Sequence, residues 1–255
     1  MSETIPYDID FAAELTRDIW DRIRAGAPTG ARPRVAATLI LFDRSGPEPR
    51  VLMGKRHAGH KFMPGRFVFP GGRVEPADRM MNAAGMLDPV TEAKLMACLR
   101  RPSASGARAL AMAAIRETFE ETGLLIGSAE FGEPESPPPG AWSEYAAVGV
   151  YPTLEDIHFI GRAITPPRNK LRFDTFFLAA DATAIGASVE GKISPDSELV
   201  ELVWATIPEA LELGLVAITR VMLRELANRL ALGLDRRAPA PIYTTGRKGW
   251  ERRAV

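Results

Sequence analysis

Residues 116–124 read Arg116-Glu117-Thr118-Phe119-Glu120-Glu121-Thr122-Gly123-Leu124. They close an Ala-, Met-, Arg- and Glu-rich run that predicts a helix over 107–122, with Gly123 as the residue that ends it. At about 100° per residue, Met112, Ile115 and Phe119 share one face, and Glu117, Glu120 and Glu121 the opposite one. Three carboxylates at i, i+3 and i+4 repel each other unless something compensates. A hard divalent cation does so, taking carboxylate oxygens and keeping other positions for water or phosphate. Arg116 sets a fixed positive charge beside them and can grip a carboxylate bidentately. A lone acidic triplet is usually a solvated face. Here the pattern is wider, because Phe69-Pro70-Gly71-Gly72 forms a turn upstream. Five fixed positions in the helix segment would meet by chance at roughly one start in a million.

Outward from this helix, the pattern predicts strands over 35–42 and 50–55 joined by the turn 43–49, and a short strand over 67–69. Residues 73–106 read as irregular, with a short helix over 91–99. The Pro-rich stretch 132–140 is a loop. Strands follow over 157–164 and 171–178 around the turn 165–169, then a strand over 199–204. Helices are predicted over 208–213 and 216–232. Phe11, Leu15, Ile19 and Ile23 predict an amphipathic helix over 10–24. The charged tail 235–255 reads as frayed and solvated.

The 255 residues are 46% hydrophobic, with 32 Lys plus Arg against 32 Asp plus Glu. These values exclude general disorder and argue against a nucleic-acid-coating surface. Cys98 is the one cysteine, which excludes an internal disulfide framework and a multi-Cys zinc site and fits a reducing, cytoplasmic setting. The start, MSETIPYDID, lacks signal-peptide character, and the apolar run 35–42 is too short to span a membrane. No nucleic-acid partner and no membrane are therefore expected, and a homodimer is left open.

The motif Arg116-Glu117-x-x-Glu120-Glu121-x-Gly123 resembles the core of the Nudix box, G-x5-E-x7-R-E-U-x-E-E-x-G-U. In an unbroken box the first Glu would fall at Arg108. The reconciliation is an insertion: Gly72 serves as the box glycine, Asp78 replaces the first Glu, and about thirty extra residues intervene. Thr118 stands where an aliphatic residue is usual. Residues 50–72, RVLMGKRHAGHKFMPGRFVFPGG, are similar to the coenzyme A diphosphatase signature at Leu52, Arg56, Gly65, Phe69, Pro70, Gly71 and Gly72. Lys61 takes a second Arg position, while Gly54 and His57 depart from the pattern. With the stretch 164–177, the chain resembles the RP2p-like branch of that group, whose box is split.

The resemblance implies an α/β (α+β) Nudix fold, a mixed sheet sandwiched between helices, in a single domain over 1–255. It implies an inserted helical segment, 73–106, forming a subdomain or lid, and extra terminal helices. It implies Mg²⁺ or Mn²⁺ held by Glu117, Glu120, Glu121 and Gly72, with Glu120, Arg116 and Glu117 as catalytic residues. Substrate would meet Arg56, Lys61, Phe69, Gly71 and Arg172, and the base would be a box Glu, Glu198 or Glu201. The implied substrate is coenzyme A or acyl-CoA, giving 3′,5′-ADP and (acyl)phosphopantetheine. A nucleotide-sugar or ADP-ribose diphosphatase is the competitor of the same chemistry, and a non-catalytic nucleotide-binding module is the competitor of another class. His57 and His60 read as loop histidines, His158 as structural and Cys98 as buried in a helix. Asp174 reads as half of a cross-strand ion pair.

Overall fold

The computed structural model describes residues 30–60, 63–167, 169, 171–246 and 249–255. The helix expected over 10–24 and Lys61 lie outside the described residues.

The run expected over 35–42 is the middle of the molecule. It forms β1 (Arg34–Asp43), an almost wholly buried strand. Alternation divides its side chains between two cores: Ala37, Leu39 and Leu41 enter one, Ile40 and Phe42 the other. That explains a run apolar over 35–42 apart from Thr38, since both of its faces are covered. β2 (Arg50–Arg56) pairs antiparallel with β1 and carries β3 (Phe67–Val68). The diglycine itself is in a strand, β4 (Gly71–Arg73), with Ala37 opposite Gly72 and Thr38 opposite Gly71.

Residues 73–106 hold two helices, α1 (Ala77–Met80) and α2 (Pro89–Cys98). Asp88 caps α2 by accepting from Val90 N and Thr91 N. Leu87, Leu95 and Cys98 are buried in the first core. The segment is therefore packed into the fold and gives the cleft described below only Arg73 and Glu75, which corrects the expectation of a separate subdomain or lid. Cys98 is buried, and burial pushes its thiol pKa up.

The long helix, α3 (Ala104–Thr122), starts three residues before its expected boundary because Ser103 caps it, accepting from Gly106 N. Gly123, at φ 80°, ends it and donates to Phe119 O. Small residues such as Ala107, Ala111 and Ala114 are wholly buried and let the helix lie close to the sheet. Thr118 is also buried, and its hydroxyl donates to Ala114 O at 2.8 Å, so it needs no aliphatic neighbour.

Several elements were not expected: β5 (Leu124–Ser128), α4 (Ala141–Ala147) and β6 (Tyr151–Pro152). β7 (His158–Ile164) and β8 (Phe173–Asp181) match the strands expected around the turn 165–169, and β8 runs parallel to β1. β9 (Ile185–Ser188) joins β5 and β6 in a three-stranded sheet. β10 (Leu199–Thr206), α5 (Ile207–Glu212) and α6 (Ala217–Ala231) follow as expected, α5 entered through a Thr206–Glu209 capping box. The tail is not frayed. It forms a hairpin, β11 (Pro241–Gly246) and β12 (Gly249–Ala254), whose first strand pairs in parallel with β7.

The main sheet thus runs β10-β2-β1-β8-β7-β11-β12, with β3 on β2 and β4 on β1. The core around α2, α3 and α4 covers one face, and the core around α5 and α6 covers the other. This is the mixed sheet between helices that the sequence implied. No helix among the described residues is long and apolar enough to cross a membrane.

Candidate active site

The β1–β4 pairing delivers the diglycine turn to the acidic face of α3. Thr38 Oγ1 pins the turn from beneath, donating to Pro70 O at 2.5 Å, and Leu39 N donates to the same carbonyl at 3.0 Å. Gly71 N then donates to Glu121 Oε2 at 3.0 Å. Gly72 faces Glu117 so closely that a Cβ there would lie 2.4 Å from the carboxyl carbon. Glycine is required at this position because the carboxylate fills the space a side chain would take.

Arg116 organises the other groups and is only 4% exposed. Its Nε and Nη2 donate to the two oxygens of Asp78 at 2.8 and 3.2 Å. Its Nη1 donates to Glu117 Oε1 at 2.9 Å and Glu120 Oε2 at 2.6 Å, and Nη2 also reaches Arg73 O at 2.8 Å. Burial opposes the guanidinium charge, but the hydrogen bonds it donates to Asp78 and the charges of Glu117, Asp78 and Glu120 outweigh it and raise its pKa. Asp78 is fully buried and is fixed in turn by Trp142 Nε1 at 3.1 Å and Glu75 N at 2.7 Å. The split box is therefore closed in space: the residue six positions after Gly72 grips the arginine 38 positions further on. Trp142 gave no sequence signal. It reaches Asp78 because α4 packs on α3 through edge-on contacts of Tyr145 with Trp142 and Phe119.

Burial is the main cause of the carboxylates' altered acidity. It pushes Glu117 up to about 7, with Arg116 acting against it and Glu120 and Glu198 adding to it. Burial likewise raises Glu120, and raises Glu121 well above the ordinary value, there assisted by the charge of Glu198. Glu121 Oε1 is buried without a hydrogen-bond partner. An orphaned carboxylate oxygen among raised carboxylates is a costly arrangement that a divalent cation would relieve. The donor set, hard oxygens from Glu117, Glu120 and Glu121, fits Mg²⁺ or Mn²⁺. Among the described residues no three such side chains already converge into a cage, and Arg116 holds one oxygen each of Glu117 and Glu120.

Of these groups, Gly71, Gly72, Arg73, Glu75 and Glu117 line a cleft of about 540 Å³. Arg56 lines it from the end of β2, 9% exposed, with Nη1 at 2.8 Å from Glu198 Oε1 and 2.9 Å from His60 Nδ1. Its Nε is buried without a partner among the described residues. Glu198 lines the same cleft and stands close enough to raise Glu117 and Glu121. Phe69 is a cleft wall seated in the second core.

Two expected site residues lie elsewhere. Glu201 pairs with Lys55 at 3.3 Å, both about half exposed, where a β-bulge between Leu199 and Glu201 offsets β10 against β2. Arg172 donates to Thr165 O at 3.0 Å and Ala31 O at 2.7 Å, tying the chain ahead of β1 to the turn before β8, and it does not line the cleft. Asp174 is in the expected cross-strand ion pair, with Arg162 at 2.6 Å. Burial, then Arg236 and Arg229, push His158 down to about 4, so it is neutral and structural. His57 accepts from Gly59 N in an exposed turn.

Comparison with known proteins agrees with this geometry. Residues 32–226 match the NUDIX domain family. Acyl-coenzyme A diphosphatase NUDT19 of Gallus gallus is 36% identical over 121 residues, covering 36% of this chain and 32% of that protein. The match thus spans about a third of that relative's length. The crystal structure of a NUDIX hydrolase from Alicyclobacillus acidocaldarius superposes with a TM-score of 0.56 at 26% identity, over 77% of this chain and 91% of that one.

Proposed function

The chain belongs to the NUDIX domain family and is a Nudix hydrolase, and from that premise we propose that it cleaves the diphosphate of coenzyme A or an acyl-CoA, within a single domain over 1–255. The observation that carries the reading is a cleft in which Glu117 and Glu198 stand with the Arg56 guanidinium, next to a buried Glu121 oxygen that has no partner among the described residues.

Glu117, Glu120 and Glu121, with the Gly72 backbone beside them, would hold Mg²⁺ or Mn²⁺. Bound there, the metal would neutralise charge on the phosphoryl oxygens and lower the pKa of an attacking water. Arg116, locked by Asp78, orients Glu117 and Glu120 before substrate arrives. Arg56 offers its guanidinium to a phosphate oxygen, the planar donor geometry that phosphate favours. Glu198 accepts the proton of the attacking water, and Glu201, out on the sheet edge, takes no part. Attack at phosphorus yields 3′,5′-ADP and the (acyl)phosphopantetheine. The choice of coenzyme A rests on the signature around Arg56 and on the partial match to the Gallus gallus acyl-CoA diphosphatase.

The test is incubation with Mg²⁺ and a panel of CoA, acetyl-CoA, ADP-ribose, GDP-mannose and NADH, with products identified by mass spectrometry. Phosphopantetheine and 3′,5′-ADP are expected. Turnover of ADP-ribose or GDP-mannose alone would replace the substrate. No turnover of any would leave a nucleotide-binding module.

A further inference from the structure

The cleft continues past the carboxylates across the second face of the sheet. Alternation brings Ala36 and Thr38 of β1 beside Thr175 and Phe177 of β8 as its floor. Its far end lies between Ile164 of β7, Ile218 of α6 and Trp250 of β12, with Arg34, Thr165 and Asn169 also on the lining. Arg56, Glu117 and Glu198 stand at the opposite end, and Arg73 and Glu75 are the other charged residues of the lining. Arg56 is on β2 and Ile164 on β7, three strands apart in the sheet order, or roughly 14 Å at the usual strand spacing. That is the reach of an extended nucleoside diphosphate.

Trp250 is the part of this cleft that the family does not account for, because it falls outside the matched residues 32–226. It arrives through the C-terminal hairpin: β11 pairs with β7 through Ile242 and Tyr243, and β12 returns with Trp250 opposite Thr245. The indole is half-buried against the second core. Its Nε1 is shut off from water and has no acceptor among the described residues, whereas a tryptophan placed only for packing usually has its N–H paired.

We propose that Trp250 is a substrate-recognition residue, its indole forming the wall on which the planar nucleobase of the substrate lies. The proposal rests on the diphosphatase reading. With the phosphates drawn to Arg56 and the carboxylates, the base is the portion of substrate that the far end receives. Stacking on an indole suits a flat ring and tolerates different bases. The hairpin thus sets which end of an asymmetric diphosphate enters the far end of the cleft.

The test uses the full chain, with Trp250→Ala and Trp250→Phe. Calorimetric titration measures ADP and inorganic pyrophosphate binding, and steady-state kinetics use whichever diphosphate the panel identifies. Trp250→Ala should weaken ADP and raise KM by roughly ten-fold, the scale of one stacked base. It should leave pyrophosphate binding and kcat within about two-fold, and Trp250→Phe should recover most of the loss. Trp250→Leu replaces Trp250→Ala if the alanine variant melts early. Unchanged ADP binding in a folded variant overturns the proposal. So does equal weakening of ADP and pyrophosphate, or a KM effect that follows the acyl chain and not the base. ADP binding is read without turnover, so a failed substrate panel and a failed Trp250 assignment give different results.

Discussion

Replacing Asp78 tests how the split box is held together. The carboxylate is wholly buried and accepts four hydrogen bonds: two from Arg116, one from Trp142 Nε1 and one from Glu75 N. Asp78→Ala removes all four acceptor contacts and leaves Arg116, 4% exposed, with Glu117, Glu120 and one backbone carbonyl. Removing one partner of a buried ion pair costs about 3–5 kcal/mol. Since Arg116 keeps two anionic partners, the lower end applies, about 3 kcal/mol. For a domain of this size that is a fall of roughly 6–12 °C in Tm. Scanning calorimetry at neutral pH without divalent ions measures it, with Glu201→Ala as the control. The Lys55–Glu201 pair is exposed and should be worth under about 1 kcal/mol. Because Arg116 also orients Glu117 and Glu120, kcat should fall by roughly 10–100-fold in the folded variant. If Asp78→Ala melts within about 2 °C of the parent, or Glu201→Ala costs as much, the idea that Asp78 anchors the site is wrong.

Two further outcomes follow from the carboxylates. Glu117 sits at about 7 in the fold against an ordinary 4.5, so between those values the native state binds more protons than the unfolded chain. Its stabilising protonation is complete below the lower value and is lost as pH rises through about 7, with Glu120 and Glu121 shifted in the same direction. In chelator, Tm should therefore fall from about pH 5 to about pH 8, and saturating Mg²⁺ should flatten the profile; a Tm that rises over that range contradicts the shifts. Glu198→Gln should lower kcat by roughly 10²–10⁴-fold, while Glu201→Gln should leave it unchanged; equal effects would remove Glu198 as the base.

What the sequence revealed follows where information is local. The run over 35–42 names a strand buried on both faces because every position but Thr38 is apolar. The glutamates of α3 share a face because helical period is a fixed geometric fact, and Asp78 could be proposed from its offset to Gly72 alone. The failures are long-range. β12 reads as a solvated tail because Glu251, Arg252 and Arg253 lie in an edge strand, and its hairpin is placed by β7, some eighty residues earlier. Choosing between Glu198 and Glu201 required the β-bulge that offsets one from the other. Nothing in the sequence around Arg172 indicates that two backbone carbonyls, one of them 141 positions away, occupy its guanidinium.

The parallel seam between β7 and β11 has a consequence for biosynthesis. β7 is made long before the strand that covers it, so a nascent chain that has emerged only as far as α6 carries an unpaired β7 edge. Bare edges template pairing with other chains. A version truncated after α6 keeps every acidic residue of the site but should be prone to self-association, since it lacks the hairpin that covers the β7 edge.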